Sequence, residues 1–377
     1  MLKIGHPEML DEARASSKGH FWIIEILIFI AVFIGVSTFE SIPISIGTVW
    51  WIFTDPGFIS GLREAMMSGD FVSYMETTEA MLAAMPGWLM LVQLYSTVLL
   101  TVGTVIFCRF IEKRKVRTMG FRKGHILREY AVGALVGTAM IAAAIGLGAV
   151  FGIYRIETAS CSVPLILAYF FGYVLQGMSE EVLCRGYFMV SLARNNPVWA
   201  AVVINSAVFA ALHLMNPGMY PLALLNLFLC GLVFSVYVLK RGNIWGACAL
   251  HTFWNFVQGN IFGVSVSGTG VAEGATPLVT ILNIDSPLLT GGAFGVEGGL
   301  LDTFVELAAL LILIFFVKPV KADQIVPYPP KKGALPDAGA PYPMQTGVCG
   351  DRSEQGNGVI RIGEPIPKDP EDGTKNE

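Results

Sequence analysis

Charge is scarce in this chain. Of its 377 residues only 14% are Asp, Glu, Lys or Arg, while 54% are hydrophobic. An ordinary soluble domain carries about 25% charged residues. That shortage excludes an ordinary soluble globular protein and points to a chain that crosses a membrane several times. Cysteine is sparse and scattered. The six residues Cys108, Cys161, Cys184, Cys230, Cys248 and Cys349 form no CxxC pair, so neither a zinc knuckle nor a disulfide framework follows. Most of them lie in apolar runs, where a thiol behaves as a small hydrophobe. His-Glu-x-x-His is absent, which excludes a standard zincin. There is no basic excess, since the formal net charge is −4, and nothing hints at a nucleic-acid partner. No internal repeat stands out, which argues against a transporter built from inverted halves. The first twenty residues mix Lys3, Arg14 and Lys18 with Glu8, Asp11 and Glu12, unlike the short basic start of a cleaved signal peptide.

What is present is a series of long apolar runs. Eight of them, at about 21–38, 87–108, 130–154, 163–190, 197–214, 220–239, 244–262 and 298–317, have the length and apolarity of membrane spans. The predicted fold is all-α, a polytopic transmembrane helix bundle. Basic residues set its orientation. Arg109, Lys113, Arg114, Lys115, Arg117, Arg122, Lys123 and Arg128 follow the second run. Arg194 follows the fourth, Lys240 and Arg241 the sixth, and Lys318 and Lys321 the eighth. The opposite connections hold only Arg63 and Arg155, and the segment 263–297 holds none. Both termini are therefore expected in the cytoplasm of an integral membrane protein, with a bacterial plasma membrane as the expected setting.

The organisation that follows has five parts. Residues 1–20 form a cytoplasmic N-terminal segment. Residues 21–160 hold three spans, a long outer loop and a basic cytoplasmic loop. Residues 161–265 form the functional core, 266–318 an outer loop and the last span, and 319–377 a disordered tail rich in Pro, Gly, Asp and Lys. Within the outer segment 39–86, the apolar run Ile42–Phe53 is too short to span. With Trp50 and Trp51 it reads as an interfacial helix.

Against this apolar background a few polar residues stand out. Ionisable groups at membrane depth cost roughly 2.5–3.5 kcal/mol each even on the lenient insertion scale, so they need partners or a task. The fourth run contains Glu180, Glu181 and Arg185; the fifth Asn205, Phe209 and His213; the seventh His251 and Asn255. Helical residues four apart share a face. Glu181 and Arg185 can pair, while Glu180, rotated about 100° from Glu181, points elsewhere. At about 1.5 Å per residue from the cytoplasmic turns, Glu180 lies roughly 20 Å deep, His213 24 Å, Asn255 17 Å and His251 11 Å. One shared cavity between these runs is geometrically accessible. Glu25, Asp302, Glu306 and the isolated Asn226 read as interface or packing residues.

A carboxylate and an imidazole within reach of one water can activate it, and amide hydrolysis also needs donors for the developing oxyanion. Glu180 and His213 can supply the first, His251 and Asn255 the second. The same groups allow a rival arrangement, with Glu180, His213 and His251 as three zinc ligands and water in the fourth position. The residues alone do not decide between them.

Glu-Glu-x-x-x-Arg at 180–185, Phe-x-x-x-His at 209–213 and His-x-x-x-Asn at 251–255, in this order on successive helices, resemble the signatures of the CPBP family. This is the CAAX protease and bacteriocin-processing (Abi) group of intramembrane proteases, which includes the Ras-converting CAAX endopeptidase. Arg185-Gly186 and the Gly242-Asn-Ile-Trp lead into His251 are also family-like. The resemblance covers about residues 160–265. It implies an intramembrane endopeptidase in which Glu180 activates water with help from His213. His251 and Asn255 would form the oxyanion hole, and Glu181, Arg185 and Phe209 would support the site. The family is often labelled metalloprotease; the metal-free glutamate mechanism is preferred here, with zinc as the alternative cofactor. The expected partners are a peptide or membrane-protein substrate and the lipid bilayer, with bacteriocin processing the default role. The resemblance also implies an alternative, a non-catalytic bacteriocin self-immunity or membrane scaffold protein, and the buried carboxylates themselves would suit an ion or proton transporter.

Overall fold

The computed structural model describes residues 7–16, 19–54, 56–68, 72, 86–159, 161–269, 277–283 and 286–319. The expected disordered tail and parts of both long outer segments lie outside the described residues. Each of the eight apolar runs is helical. A short helix α1 (Glu8–Ser16) precedes α2 (Trp22–Thr54), α3 (Pro56–Ser68), α4 (Gly87–Ile111) and α5 (Ile126–Val150). Then come α6 (Val163–Glu181), continued by a π-helical stretch Val182–Met189 into α7 (Val190–Asn195), and α8 (Val198–Leu212) and α9 (Pro221–Arg241). α10 (Trp245–Phe256) runs on as a π-helical stretch Val257–Ile261, and α11 (Leu300–Phe315) closes the bundle.

Among the described residues, four helices are long and apolar enough to cross a membrane by length and composition: α2, α4, α5 and α9. The chain is an integral membrane protein. The helices that carry the polar motifs fall outside this group: α8 and α10 are short, and α6 ends on the polar run Ser179-Glu180-Glu181. α8 has 15 residues and α10 has 12.

Three expectations need correction. The apolar run Ile42–Phe53 is not a separate interfacial helix. It is the second half of α2, which continues through Pro43 for 33 residues, about 50 Å at the usual rise. A proline removes one helical hydrogen bond, but in an apolar setting every backbone group left outside a helix goes unsatisfied, so the helix carries on. Secondly, α5 stops at Val150 rather than 154. Gly152 turns the chain with φ +70°, and Tyr154–Thr158 becomes a strand. It pairs antiparallel with Val279–Asn283, in the register Tyr154↔Asn283 to Thr158↔Val279. Among the described residues the fold is mostly helical with one small sheet, not purely α. Thirdly, Asn226 is not isolated. It is buried, donates to the carbonyls of Glu297 (2.8 Å) and Gly299 (2.9 Å), and accepts from Thr303 Oγ1 (2.7 Å).

The N-terminal segment also has more structure than its composition announced. α1 buries Met9, Leu10 and Ala13. Its acids meet the basic loop, with Glu12 paired to Arg117 at 2.8 Å and Glu8 to Arg122. Other charges on this side are internal. Arg114 is fully buried, donating to Glu112 (2.9 Å) and Ser191 Oγ (2.6 Å). Arg194 joins Glu112 (2.9 Å) and Glu25 (3.3 Å).

The centre of the bundle is α10, packed between α5 and α6. Glycine sets its distance from both. A Cβ on Gly133 would fall 1.9 Å from the Gly246 carbonyl oxygen, one on Gly137 2.4 Å from that of Leu250, and one on Gly177 2.7 Å from the Thr252 nitrogen. Small residues of this kind let helix backbones approach closely in membranes. Gly137→Ala is therefore expected to cost about 1–3 kcal/mol through overpacking against backbone and to lower the thermal unfolding midpoint in detergent. Gly146→Ala on the same helix, where nothing lies within 4 Å, should not lower it.

Candidate active site

The end of α6 supplies the acids. Gln176 and Glu180 are one turn apart and face the same way, while Glu181 turns inward and is fully buried. The helix then widens into its π-helical stretch, a geometry frequent at functional sites. From that stretch Arg185 reaches back, its Nη1 donating to Glu181 Oε1 at 2.7 Å with both side chains fully buried. The guanidinium lies over the Phe209 ring at 4.3 Å and 5.2 Å from that of Phe234, and it donates to the Gly231 carbonyl at 3.4 Å. One arginine thus ties α6 to α8 and α9.

Glu181 has a second partner. His251 Nδ1 lies 3.0 Å from the same Oε1 atom. A carboxylate only accepts, so Nδ1 carries a proton. The opposite nitrogen, Nε2, faces Glu180 Oε2 at 3.7 Å. Two acceptors would repel across that gap. A proton on Nε2 would place a charged ring between the two carboxylates.

Glu180 itself is positioned through an amide relay. Gln176 Nε2 donates to Glu180 Oε1 at 2.9 Å, and Asn255 Nδ2 donates to Gln176 Oε1 at 3.1 Å. The carboxylate at one end fixes which way both amides point, because only the NH₂ group of Gln176 can meet it. One N–H of Asn255 remains for another acceptor.

His213 follows the last residue of α8. Its Nδ1 stands 2.9 Å from the Phe209 carbonyl. A carbonyl cannot donate, so Nδ1 carries a proton, and in the neutral ring Nε2 is the nitrogen with a free lone pair. The ring leans on Phe209 with centroids 4.9 Å apart. Asn205 is on the same face of α8 but does other work: it is buried and donates to Ser235 Oγ at 3.1 Å, fastening α8 to α9.

Glu180, Phe209, His213, His251 and Asn255 all line one cavity of about 330 Å³. Its wall also includes Gln176 from α6 and Glu40 from α2. The zinc arrangement does not fit. Three ligands must converge on one point at about 2 Å, and among the described residues no three His, Cys, Asp or Glu side chains gather closely enough to hold a metal ion.

Three features were missed in the sequence. Gln176 stands four residues before Glu180, the same spacing that flagged Glu181 with Arg185, and could have been found by it. Glu40 belongs to no motif; its signal is the polar cluster Ser37, Thr38, Glu40 and Ser41 within an otherwise apolar helix. The bond from His251 to Glu181 joins residues 70 apart and has no local signal.

Residues 162–257 match the family model described as Type II CAAX prenyl endopeptidase Rce1-like. The matched segment is 96 of the 377 residues. That segment takes in all three motifs, and it agrees with the resemblance drawn from them. Neither curated proteins nor solved structures give a match. In the Rce1-like segment the amide relay is the feature the motifs do not specify. Gln176→Leu is expected to lower kcat about tenfold, the loss of one hydrogen bond to a charged group, with little change in the unfolding midpoint. Steady-state kinetics on a cleaved peptide, set beside a melting curve, tests it.

Proposed function

We propose that the protein is an intramembrane endopeptidase that hydrolyses a peptide bond in a membrane-associated protein or peptide, using a water activated by Glu180 and His213. The observation that carries this reading is the convergence of Glu180, His213, His251 and Asn255, from three separate helices, on one cavity within the Rce1-like segment.

The chemistry follows from the protonation pattern. A water between Glu180 and His213 Nε2 finds two acceptors and can give up a proton as its oxygen attacks the carbonyl carbon. The oxyanion that forms meets the free N–H of Asn255 and the Nε2 proton of His251, whose ring is fixed by Glu181. The proton taken from water then passes to the leaving nitrogen, giving a new carboxylate and a new amine. No step requires a metal. Eight spans with both termini on the cytoplasmic side complete the proposed topology.

The test uses purified full-length protein in proteoliposomes, with a farnesylated CAAX peptide and an unmodified membrane-inserted peptide as probes. Cleavage in ¹⁸O-labelled water should place a single label in the new carboxylate, read by mass spectrometry. Intact probes, with correctly folded protein, would reject hydrolysis and leave a binding or immunity role.

A further inference from the structure

The acidic residues of the described chain are, with few exceptions, tied to something. Glu181 has Arg185 and His251, Glu129 has Arg241, and Glu25 has Arg194 and His20. Glu40 differs. It makes no hydrogen bond and no ion pair among the described residues, yet it lines the same cavity as Glu180. Its position is built rather than accidental: Phe33, Ser37 and Glu40, at i, i+4 and i+7, all line the cavity, so this one stripe of α2 forms a wall of the site. α2 belongs to none of the three motifs and lies outside the matched segment 162–257.

The charge balance of the cavity is one-sided. Two carboxylates line it, Glu40 and Glu180, and no Lys or Arg does so among the described residues. The arginine nearest in sequence to Glu180, Arg185, is consumed by Glu181. His251 Nε2 faces Glu180 Oε2 at 3.7 Å. Nothing in the site answers Glu40. A carboxylate withdrawn from water is costly unless it takes up a proton or a positive charge arrives to meet it.

We propose that Glu40 is a specificity-determining residue that receives a basic side chain, Lys or Arg, flanking the scissile bond of the substrate. This deepens the endopeptidase reading and rests on it. The stem of a lysine or arginine would run along the apolar part of the wall beside Phe33 while its head reaches the carboxylate. An acidic residue at the same substrate position would be repelled by both Glu40 and Glu180. The selectivity is thus repulsive as well as attractive.

The experiment uses one membrane-anchored peptide cleaved by the full-length protein, prepared with Lys, norleucine or Glu at each position flanking the cut. At one position Lys should be favoured over Glu by a factor on the order of ten to a hundred in kcat/KM, carried by KM. Glu40→Gln should erase that preference, Glu40→Asp should retain it, and Glu40→Lys should turn it toward the Glu peptide. A gain of activity on one substrate is something a misfolded variant does not produce. Equal cleavage of the three peptides by the wild-type protein, or a lysine preference that survives in Glu40→Gln, overturns the proposal while the endopeptidase reading stands. If no peptide is cut, binding of the Lys peptide carrying an N-methylated scissile bond separates the two. Binding that weakens at least tenfold in Glu40→Gln retains the cationic site and removes the protease; binding unaffected by Glu40 removes both.

Discussion

Glu180→Gln is expected to abolish peptide cleavage while the protein still folds. The substitution keeps the shape of the side chain and an oxygen that can accept from Gln176, so the relay through Asn255 need not break. What it removes is the acceptor that the proposed mechanism gives to the water proton. General-base catalysis contributes about 10²–10⁴-fold, and the charge of Glu180 also holds His251 at 3.7 Å, so the loss should fall at the upper end of that range. Because the side chain is 22% exposed toward the cavity, its neutralisation leaves no orphaned charge in packed protein, and the melting temperature in detergent should stay close to that of the wild type. Product formation followed by mass spectrometry, with the melting curve as control, decides it. Cleavage at the wild-type rate in Glu180→Gln would take this carboxylate out of the chemistry. Loss of cleavage with retained peptide binding would show the cavity to be intact.

The largest effect on stability is expected from Arg185→Ala. Its guanidinium is fully buried and meets Glu181, the Gly231 carbonyl and the faces of Phe209 and Phe234. Removing it strands the Glu181 carboxylate with no counter-charge apart from His251. Breaking one partner of a buried pair costs about 3–5 kcal/mol, enough to deplete the folded protein. Lysine should not rescue it, because an ammonium has neither the fork that reaches both oxygen partners nor the planar surface that lies over Phe209. The double change Glu181→Gln with Arg185→Met should recover most of the stability, since replacing both charges by groups of similar volume is often neutral. It should not recover activity, because His251 Nδ1 then loses the carboxylate that fixes its ring. Thermal unfolding and cleavage measured on the single and double variants separate these outcomes. A double variant as active as the wild type would show Glu181 to be a packing residue alone.

The comparison of sequence with structure divides along the range of the interactions. Where partners lie one turn apart, the sequence was sufficient. The pairing of Glu181 with Arg185, the contact of His213 with Phe209 and the shared face of His251 and Asn255 all follow from a spacing of four. The eight apolar runs are helical for a similarly local reason, since an apolar run that cannot hydrogen-bond to water must satisfy its backbone internally. Element ends were less legible. α2 runs through Pro43 because its surroundings offer no better partner for the backbone, and α5 ends early because Gly152 allows the chain to turn into a strand whose partner lies more than a hundred residues later.

The sequence by itself determined that this is a helical membrane protein, which helices carry its polar groups, and which of those groups share a helix face. These are consequences of apolar length and of 3.6 residues per turn, and both are properties of a single segment. Only the tertiary structure decided that Glu181 rather than Glu180 fixes His251, that Gln176 connects Glu180 to Asn255, and that Glu40 from α2 completes the wall of the cavity. Each of those contacts joins separate helices or sets the pose of one against another. Their distances depend on how closely α5 and α6 approach α10, which Gly133, Gly137 and Gly177 set by leaving no side chain between the backbones.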